Sequence, residues 1–373
     1  ENFSKVLQCK TGDIEKAVII KSKATPALIG KGPASPFVVA WTIYQKYANG
    51  MPLYRQEKDW KEYGAAISRT TLANWIIYSA EHYFQPLYDY FHRQLLQRGF
   101  LMADETRVQV LREPGRSAES QSFMWLFRTG EDGLPAILLY GYNTLRQEAK
   151  NAADFLDGFQ GYLETDGHQG YNKVSGIKRC CCWAHIRRYF VDAIPKGKQL
   201  DYNQPAVQGV HYCDRLARLE NTITSKCGAD HENRRQMRLE KEKPILEALW
   251  AWVDSQHPTR NTRLDKALTY VKNRRETSMT YLEDGRCSFT NNLSENAIRP
   301  FMVGRKNWLF SDSVEGVQAS AIAYTMVEMA KAHNLKIYSY PRYVLEQRPD
   351  ENWSDEQLAK LAPWSEKLQT LKI

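Results

Sequence analysis

The sequence predicts a mixed α/β core whose sheet opens with three antiparallel strands, preceded by a helical domain and interrupted by an all-α insertion. Three observations carry that expectation. Apolar residues recur at helical spacing from Phe37 towards Leu96, and the period changes after Gly99. Three runs rich in apolar, β-branched and aromatic residues then follow, separated by the turn signals Pro114-Gly115 and Asp132-Gly133. From about His185 to Gly285 the pattern is again helical, and polar.

At 373 residues the chain is too long for one small core. The 51 Lys and Arg exceed the 43 Asp and Glu, giving a net charge of +8 that suits a polyanionic partner. No apolar run approaches the roughly 18 residues of a membrane helix, and no charged-then-apolar leader opens the chain. A cytoplasmic protein without a membrane partner is therefore expected. The chain begins with Glu1 rather than Met, which points to a processed or truncated product.

Seven cysteines, an odd number, include the run Cys180, Cys181 and Cys182, whose alternating strand directions keep all three from facing one partner. Buried thiols on an interior strand are favoured over a disulfide framework. Cys182 and His185 have the spacing of half a zinc site, with Cys227 and His231 as the other half. The paired C-x-x-C signal is missing, so structural zinc is not expected.

Residues 1–36 read as an extended leader. Helices follow from Phe37 to Tyr47 and, after Asn49-Gly50 and Pro52, from about Leu53 to Ala66. Ser68 is a helix N-cap before Thr70 to Leu87, where Leu72, Trp75, Ile76 and Ser79 share a face and Pro86 imposes a kink. Two helices joined by a polar turn make residues 37–98 a helix-turn-helix-like region, with Arg69 as a DNA contact; a packed helical pair is the competing reading.

Strands are expected at Phe100–Leu111, Ser122–Thr129 and Ala136–Tyr142, then a helix at Leu145–Phe159, a strand at Gly161–Thr165 and another apolar run at Arg179–Trp183. Three antiparallel strands followed by helix-linked strands is the order of a ribonuclease-H-like fold. Its first part would span 99–190. The block 191–286 reads as the helical insertion, with 17 Lys and Arg against 14 Asp and Glu from Val191 through Arg286, and Arg234, Arg235 and Arg238 as a solvated face. The core resumes over 287–335, and 336–373 form a Pro- and Tyr-rich tail.

Three acidic residues stand out by context. Asp104 lies in the strand-like run Phe100–Val108, where a buried carboxylate needs compensation. Asp166 lies where a strand meets the turn Gly167-His168, and a turn-forming role competes with a catalytic one. Glu295 opens a helix behind Asn292 and Ser294. Behind it, Arg299, Arg305 and Lys306 occur with no acid between Asn296 and Phe310, and Trp308 and Phe310 add aromatic surface. Three carboxylates on rigid elements suit two hard divalent cations and phosphodiester chemistry.

Ala103-Asp104-Glu105-Thr106, Thr165-Asp166-Gly167 with Gly170-Tyr171, Cys182-Trp183-Ala184-His185 with Arg187-Arg188, and Asn291-Asn292 through Glu295-Asn296-Ala297-Ile298-Arg299-Pro300 resemble the DDE transposases of the insertion sequence 66 family, TnpC type. Pro52 to Glu57, Ser68 to Trp75 and Leu361 to Trp364 extend the resemblance to about residues 30–365. It implies a ribonuclease-H-like core in which Asp104, Asp166 and Glu295 hold two magnesium ions, with manganese able to substitute. It also implies DNA partners, the element's terminal repeats and target DNA, and a homo-oligomer on DNA, with accessory proteins of the same element.

Asn292, Arg299, Arg305, Lys306, Arg187 and Arg188 are further candidate DNA contacts, and His185 and Trp183 candidate orienting residues. The chain departs from the family's pattern in keeping only Cys9 before residue 180, and in placing His168 where an aromatic residue is more usual; His168 is read as a neighbour, not a base. A nuclease without strand transfer and an inactive DNA-binding relative are the rival functions.

Overall fold

A small strand pair and a six-stranded sheet make up the β structure of the computed structural model, which describes residues 6–9, 18–21, 27–30, 32–143, 148–195, 197 and 201–371. The pair, β1 (Val6–Cys9) antiparallel to β2 (Val18–Lys21), stands where an extended leader was expected. The sheet comprises β3 (Phe100–Arg112), β4 (Gln121–Thr129), β5 (Leu138–Gly141), β6 (Gly161–Thr165), β7 (Ile177–Cys181) and β8 (Ser311–Ser313).

Its order is β5-β4-β3-β6-β7, with β8 pairing the far end of β3. β3, β4 and β5 form the expected antiparallel meander, while β6 and β7 run parallel to β3 on its other side. The sequence reading needs correcting in three places. The first core strand lies inside the sheet rather than leading it. β6 and β7 are joined without a helix, the one regular element between them being a single 3-10 turn, Gln169–Tyr171. β7 stops at Cys181, so that Trp183 opens a helix instead of ending a strand.

Alternation along β3 assigns its two faces. Leu101 and Ala103 join a hydrophobic cluster shared with helices Pro36–Ile43, Arg69–Ser79, Gln85–Leu96 and Val314–Ala332. Helix Val314–Ala332 is buried almost all round, as its apolar and small residues require. The expected Pro- and Tyr-rich tail is largely helical over its described residues, 336–371. Helices Ser339–Gln347, Asp355–Ala359 and Glu366–Leu371 bury Tyr340, Val344, Leu345, Leu358 and Leu368 in that cluster. The Pro86 irregularity is also displaced, since the widened π turn Ala80–Phe84 precedes it and the helix restarts at Gln85. Proline has no N–H to offer the carbonyl four residues back, and a wider turn relieves that clash.

Phe100 and Met102 face the opposite cluster, with helix Trp183–Ala193 and helices Pro205–Cys227, Lys243–Ser255 and Arg263–Lys272 of the helical block. The expected solvated face there is largely internal. Arg238 is wholly buried; its Nε donates to Glu220 Oε2 (2.9 Å), Nη1 to the Tyr281 carbonyl (2.9 Å) and Nη2 to the Cys287 carbonyl (2.9 Å). Arg234, also buried, donates to the Gly285 carbonyl. Arg235 alone of the three is spent on a surface partner, Glu232. Among the described residues, no helix is long and apolar enough to cross a membrane.

Candidate active site

Strand register places two of the carboxylates. β3 pairs β6 as Phe100↔Tyr162, Leu101↔Leu163 and Met102↔Glu164, a constant offset of 62 (162 − 100). Asp104 and Asp166 differ by the same 62 (166 − 104). Continued two residues, the register sets them side by side on one face of adjacent strands, which are about 4.8 Å apart. β6 pairs β7 at Thr165↔Cys181, so the same continuation sets Cys182 beside Asp166. Asp104 inside β3, and Asp166 and Cys182 just past the ends of β6 and β7, therefore lie in a row across three neighbouring strands.

Asn291 brings the third carboxylate to that row. It is fully buried before helix Asn292–Trp308; its Nδ2 donates to the Ala103 carbonyl (2.9 Å) and its N–H to Cys182 Sγ (3.1 Å). Ser294 Oγ in turn donates to Asn291 Oδ1. The first turn of the helix, holding Glu295, is thus pinned to β3 beside Asp104 and to the residue that follows β7. The sequence offered Asn292 and Ser294 as the residues behind which this helix opens, and Asn291 only as part of the family-like motif. The Asn291 side chain does not cap the helix but reaches the strand, which a local pattern cannot reveal.

The electrostatics agree with convergence. Burial, followed by the charges of Asp166 and Glu295, pushes the Asp104 carboxyl up to about 7 against the opposing N–H of Glu105 (2.9 Å from Oδ1). Asp166 Oδ1 accepts the His168 N–H (2.7 Å), so the turn role foreseen for it is present at this strand end. Two arginines not singled out from sequence brace the turn. Arg179 Nη2 donates to Thr165 Oγ1 (2.7 Å) and the Asp166 carbonyl (3.1 Å), and Arg274 Nη2 to the Gly167 carbonyl (3.2 Å). A Cβ on Gly167 would lie 1.9 Å from Arg274 Nη2, so glycine permits that approach.

His185 Nδ1 lies 3.7 Å from Glu295 Oε1, and neither buried atom has a hydrogen-bond partner. Burial lowers the His185 pKa, the Glu295 charge opposing it and Arg188 adding to it. Cys182, His185 and Glu295 each offer a ligand atom within 4.8 Å of the others, the one such group among the described residues. Cys227 and His231 do not join it. Cys227 Sγ lies 3.5 Å from Met237 Sδ in the helical block, so the zinc half-site pairing considered from sequence is replaced by one with Glu295.

The other candidates divide. Trp183 is buried, stacks on Phe289 (centroids 5.5 Å apart) and donates from Nε1 to the Ser278 carbonyl (2.9 Å), anchoring the helix that carries His185. Arg187 is engaged by Asp214 at 2.6 Å and points to the helical block rather than the site. Arg188 is exposed, as is Arg69 behind its Ser68 cap. On helix Asn292–Trp308, Asn292, Arg299 and Lys306 are exposed and Arg305 is half-buried. Phe310 is exposed, whereas Trp308 packs edge-on against Phe301. His168 Nδ1 accepts the Gly170 N–H (3.1 Å), a turn-capping role.

The model of the Transposase IS66 family matches residues 31–319. Three proteins of Sinorhizobium fredii are similar over nearly the whole chain. The uncharacterized protein y4qI is 28% identical over 93% of this chain and 65% of its own length. For y4jD the figures are 27%, 93% and 69%. For y4hP they are 26%, 91% and 63%. The chain thus spans about two thirds of the length of these curated relatives. With the family match extending over most of the sequence, the chain belongs to the IS66 family of transposases.

Proposed function

We propose that the chain is a divalent-metal-dependent DNA transposase that cleaves the ends of an insertion sequence and joins them to target DNA. The observation that carries this reading is the shared 62-residue offset that aligns Asp104 of β3 with Asp166 at the end of the neighbouring β6, with Glu295 close enough to raise the Asp104 pKa. A three-strand meander with parallel strands added beside its first member supports a ribonuclease-H-like core.

The donor set fits hard cations such as magnesium or manganese. Oxygen ligands dominate, Glu295 Oε1 lacks a hydrogen bond, and the charges of Asp166 and Glu295 both bear on Asp104. Asp104, Asp166 and Glu295 would hold such ions, which when bound activate an attacking oxygen and stabilise a leaving one.

The chain's own residues supply position. Asn291 holds the Glu295 turn against β3, and Arg179 and Arg274 hold the Asp166 turn. Arg299 and Lys306 lie on the solvent side of the helix behind Glu295, within reach of a DNA backbone passing the site. Hydrolysis of a phosphodiester at the element's end frees a 3′ hydroxyl, which then attacks a target phosphorus in line, forming a new P–O bond as the target strand's own 3′ oxygen leaves and the hydroxyl proton passes to solvent. Joining two ends requires more than one copy, so the working form is an oligomer on DNA.

A strand-joining assay with magnesium and an element-end duplex tests the proposal. Joined products are expected. Products that are only nicked or linear would replace it with a nuclease, and binding without cleavage with an inactive relative.

A further inference from the structure

The geometry points to a second, thiolate-containing cation site formed by Cys182, His185 and Glu295, which takes zinc-like transition ions and shares Glu295 with the proposed magnesium site. Only its consequence for cleavage rests on the transposase reading. The site itself stands on the three ligand atoms.

Cys182 follows β7 directly and is the N-cap of helix Trp183–Ala193, so His185 follows three residues on, over the same side of the helix start. Glu295 reaches them from the first turn of helix Asn292–Trp308. All three ligand atoms lie within 4.8 Å of one another. The 3.7 Å between His185 Nδ1 and Glu295 Oε1 is too long for a hydrogen bond, and neither atom finds another partner. Two ligands at about 2.0–2.1 Å from one tetrahedral ion stand roughly 3.3 Å apart, so a small closure would seat zinc.

The ligand chemistry selects the ion. Sulfur and imidazole favour zinc, cobalt or similar ions over magnesium and calcium, and three protein ligands leave a fourth position for water. Binding exchanges one proton for the metal: the Cys182 S–H bond breaks, an S–metal bond forms and the proton leaves to solvent. Burial and the Glu164 charge push the Cys182 thiol up to about 12; the Asn291 N–H at 3.1 Å and the helix start behind Sγ oppose that shift, and the arriving cation has to displace the proton. Glu295 is common to both ion sets, and an ion held with Cys182 and His185 competes for its charge. Zinc at this site withdraws a carboxylate from the magnesium set and so inhibits cleavage.

Cobalt(II) titration of the metal-free full chain tests the site by absorption. One equivalent should bind with a thiolate-to-cobalt charge-transfer band, displaced by zinc and retained in about a hundredfold excess of magnesium. Cys182→Ser should lose the band, and His185→Ala should weaken binding at least about tenfold. No band in the folded wild type, or the same band in Cys182→Ser, overturns the site. If circular dichroism shows Cys182→Ser unfolded, His185→Ala decides, and unchanged affinity overturns it.

In the magnesium cleavage assay, zinc should inhibit the wild type and inhibit Cys182→Ser about tenfold less readily. Equal sensitivity overturns the shared use of Glu295. Failure of the transposase reading would appear separately, as no magnesium-dependent cleavage with the cobalt band intact.

Discussion

His185 Nδ1 and Glu295 Oε1 face each other at 3.7 Å, each buried and neither hydrogen-bonded. Such a pair would ordinarily close to a hydrogen bond or turn to solvent. Helix Trp183–Ala193 is held by the Trp183 stack and helix Asn292–Trp308 by Asn291, which fixes the spacing of the two helix backbones. The carboxylate is left available for a cation.

Glu295→Gln removes that charge and keeps the shape. Metal-dependent cleavage should fall by about a hundredfold or more, while DNA binding in a gel-shift assay remains measurable. Cleavage at the wild-type rate would remove Glu295 from the catalytic set.

Asp104 gives the pH dependence. Its folded pKa of about 7 lies above the unfolded value of 3.8, so the folded state binds the proton more tightly. The group's stabilising contribution is complete below pH 4 and lost as pH rises towards 7. Asp104→Asn removes the penalty that remains at high pH, on the order of 2–4 kcal/mol. Thermal melts of the metal-free protein should show variant and wild type alike near pH 4 and the variant more stable at pH 8. A difference that does not change with pH would contradict the assigned burial.

The meander and the strand carrying Glu164 and Thr165 were legible because buried strands announce themselves by composition and turns by Pro-Gly and Asp-Gly. Asp166 and Glu295 could be picked out as acids at element ends, and Asp104 as an acid inside a strand-like run. What a local pattern cannot carry is pairing across the chain. The register that aligns Asp104 with Asp166, the reach of Asn291 to Ala103, and Arg274 arriving from the helical block over Gly167 all depend on residues far apart in sequence. Arg238 was misread because a helix as polar as His231–Lys241 resembles a solvated one until Glu220 is known to lie inside with it.

Arg238 links the helical block to the site through the Tyr281 and Cys287 carbonyls, a few residues before Asn291. Arg238→Met leaves Glu220 buried without its partner and should cost about 3–5 kcal/mol in urea unfolding. Adding Glu220→Leu should recover most of that stability. Because the carbonyl bonds stay broken, cleavage by the double variant should remain below wild type. Full recovery of both stability and cleavage would show that Arg238 serves folding alone.

The basic stripe makes a prediction in salt. Arg299 and Lys306 stand on the exposed side of the helix that begins beside Glu295, whereas Arg187 is occupied by Asp214. Each phosphate contact adds about 0.9 to the slope of log affinity against log salt on duplex DNA. Arg299→Ala and Lys306→Ala should each reduce the measured slope by about that amount, and together by about twice it. Arg187→Ala should leave the slope unchanged, because its charge is already neutralised within the protein. Equal slope changes at all three positions would mean that the DNA path crosses the helical block as well, and a change at Arg187 alone would move the path away from helix Asn292–Trp308.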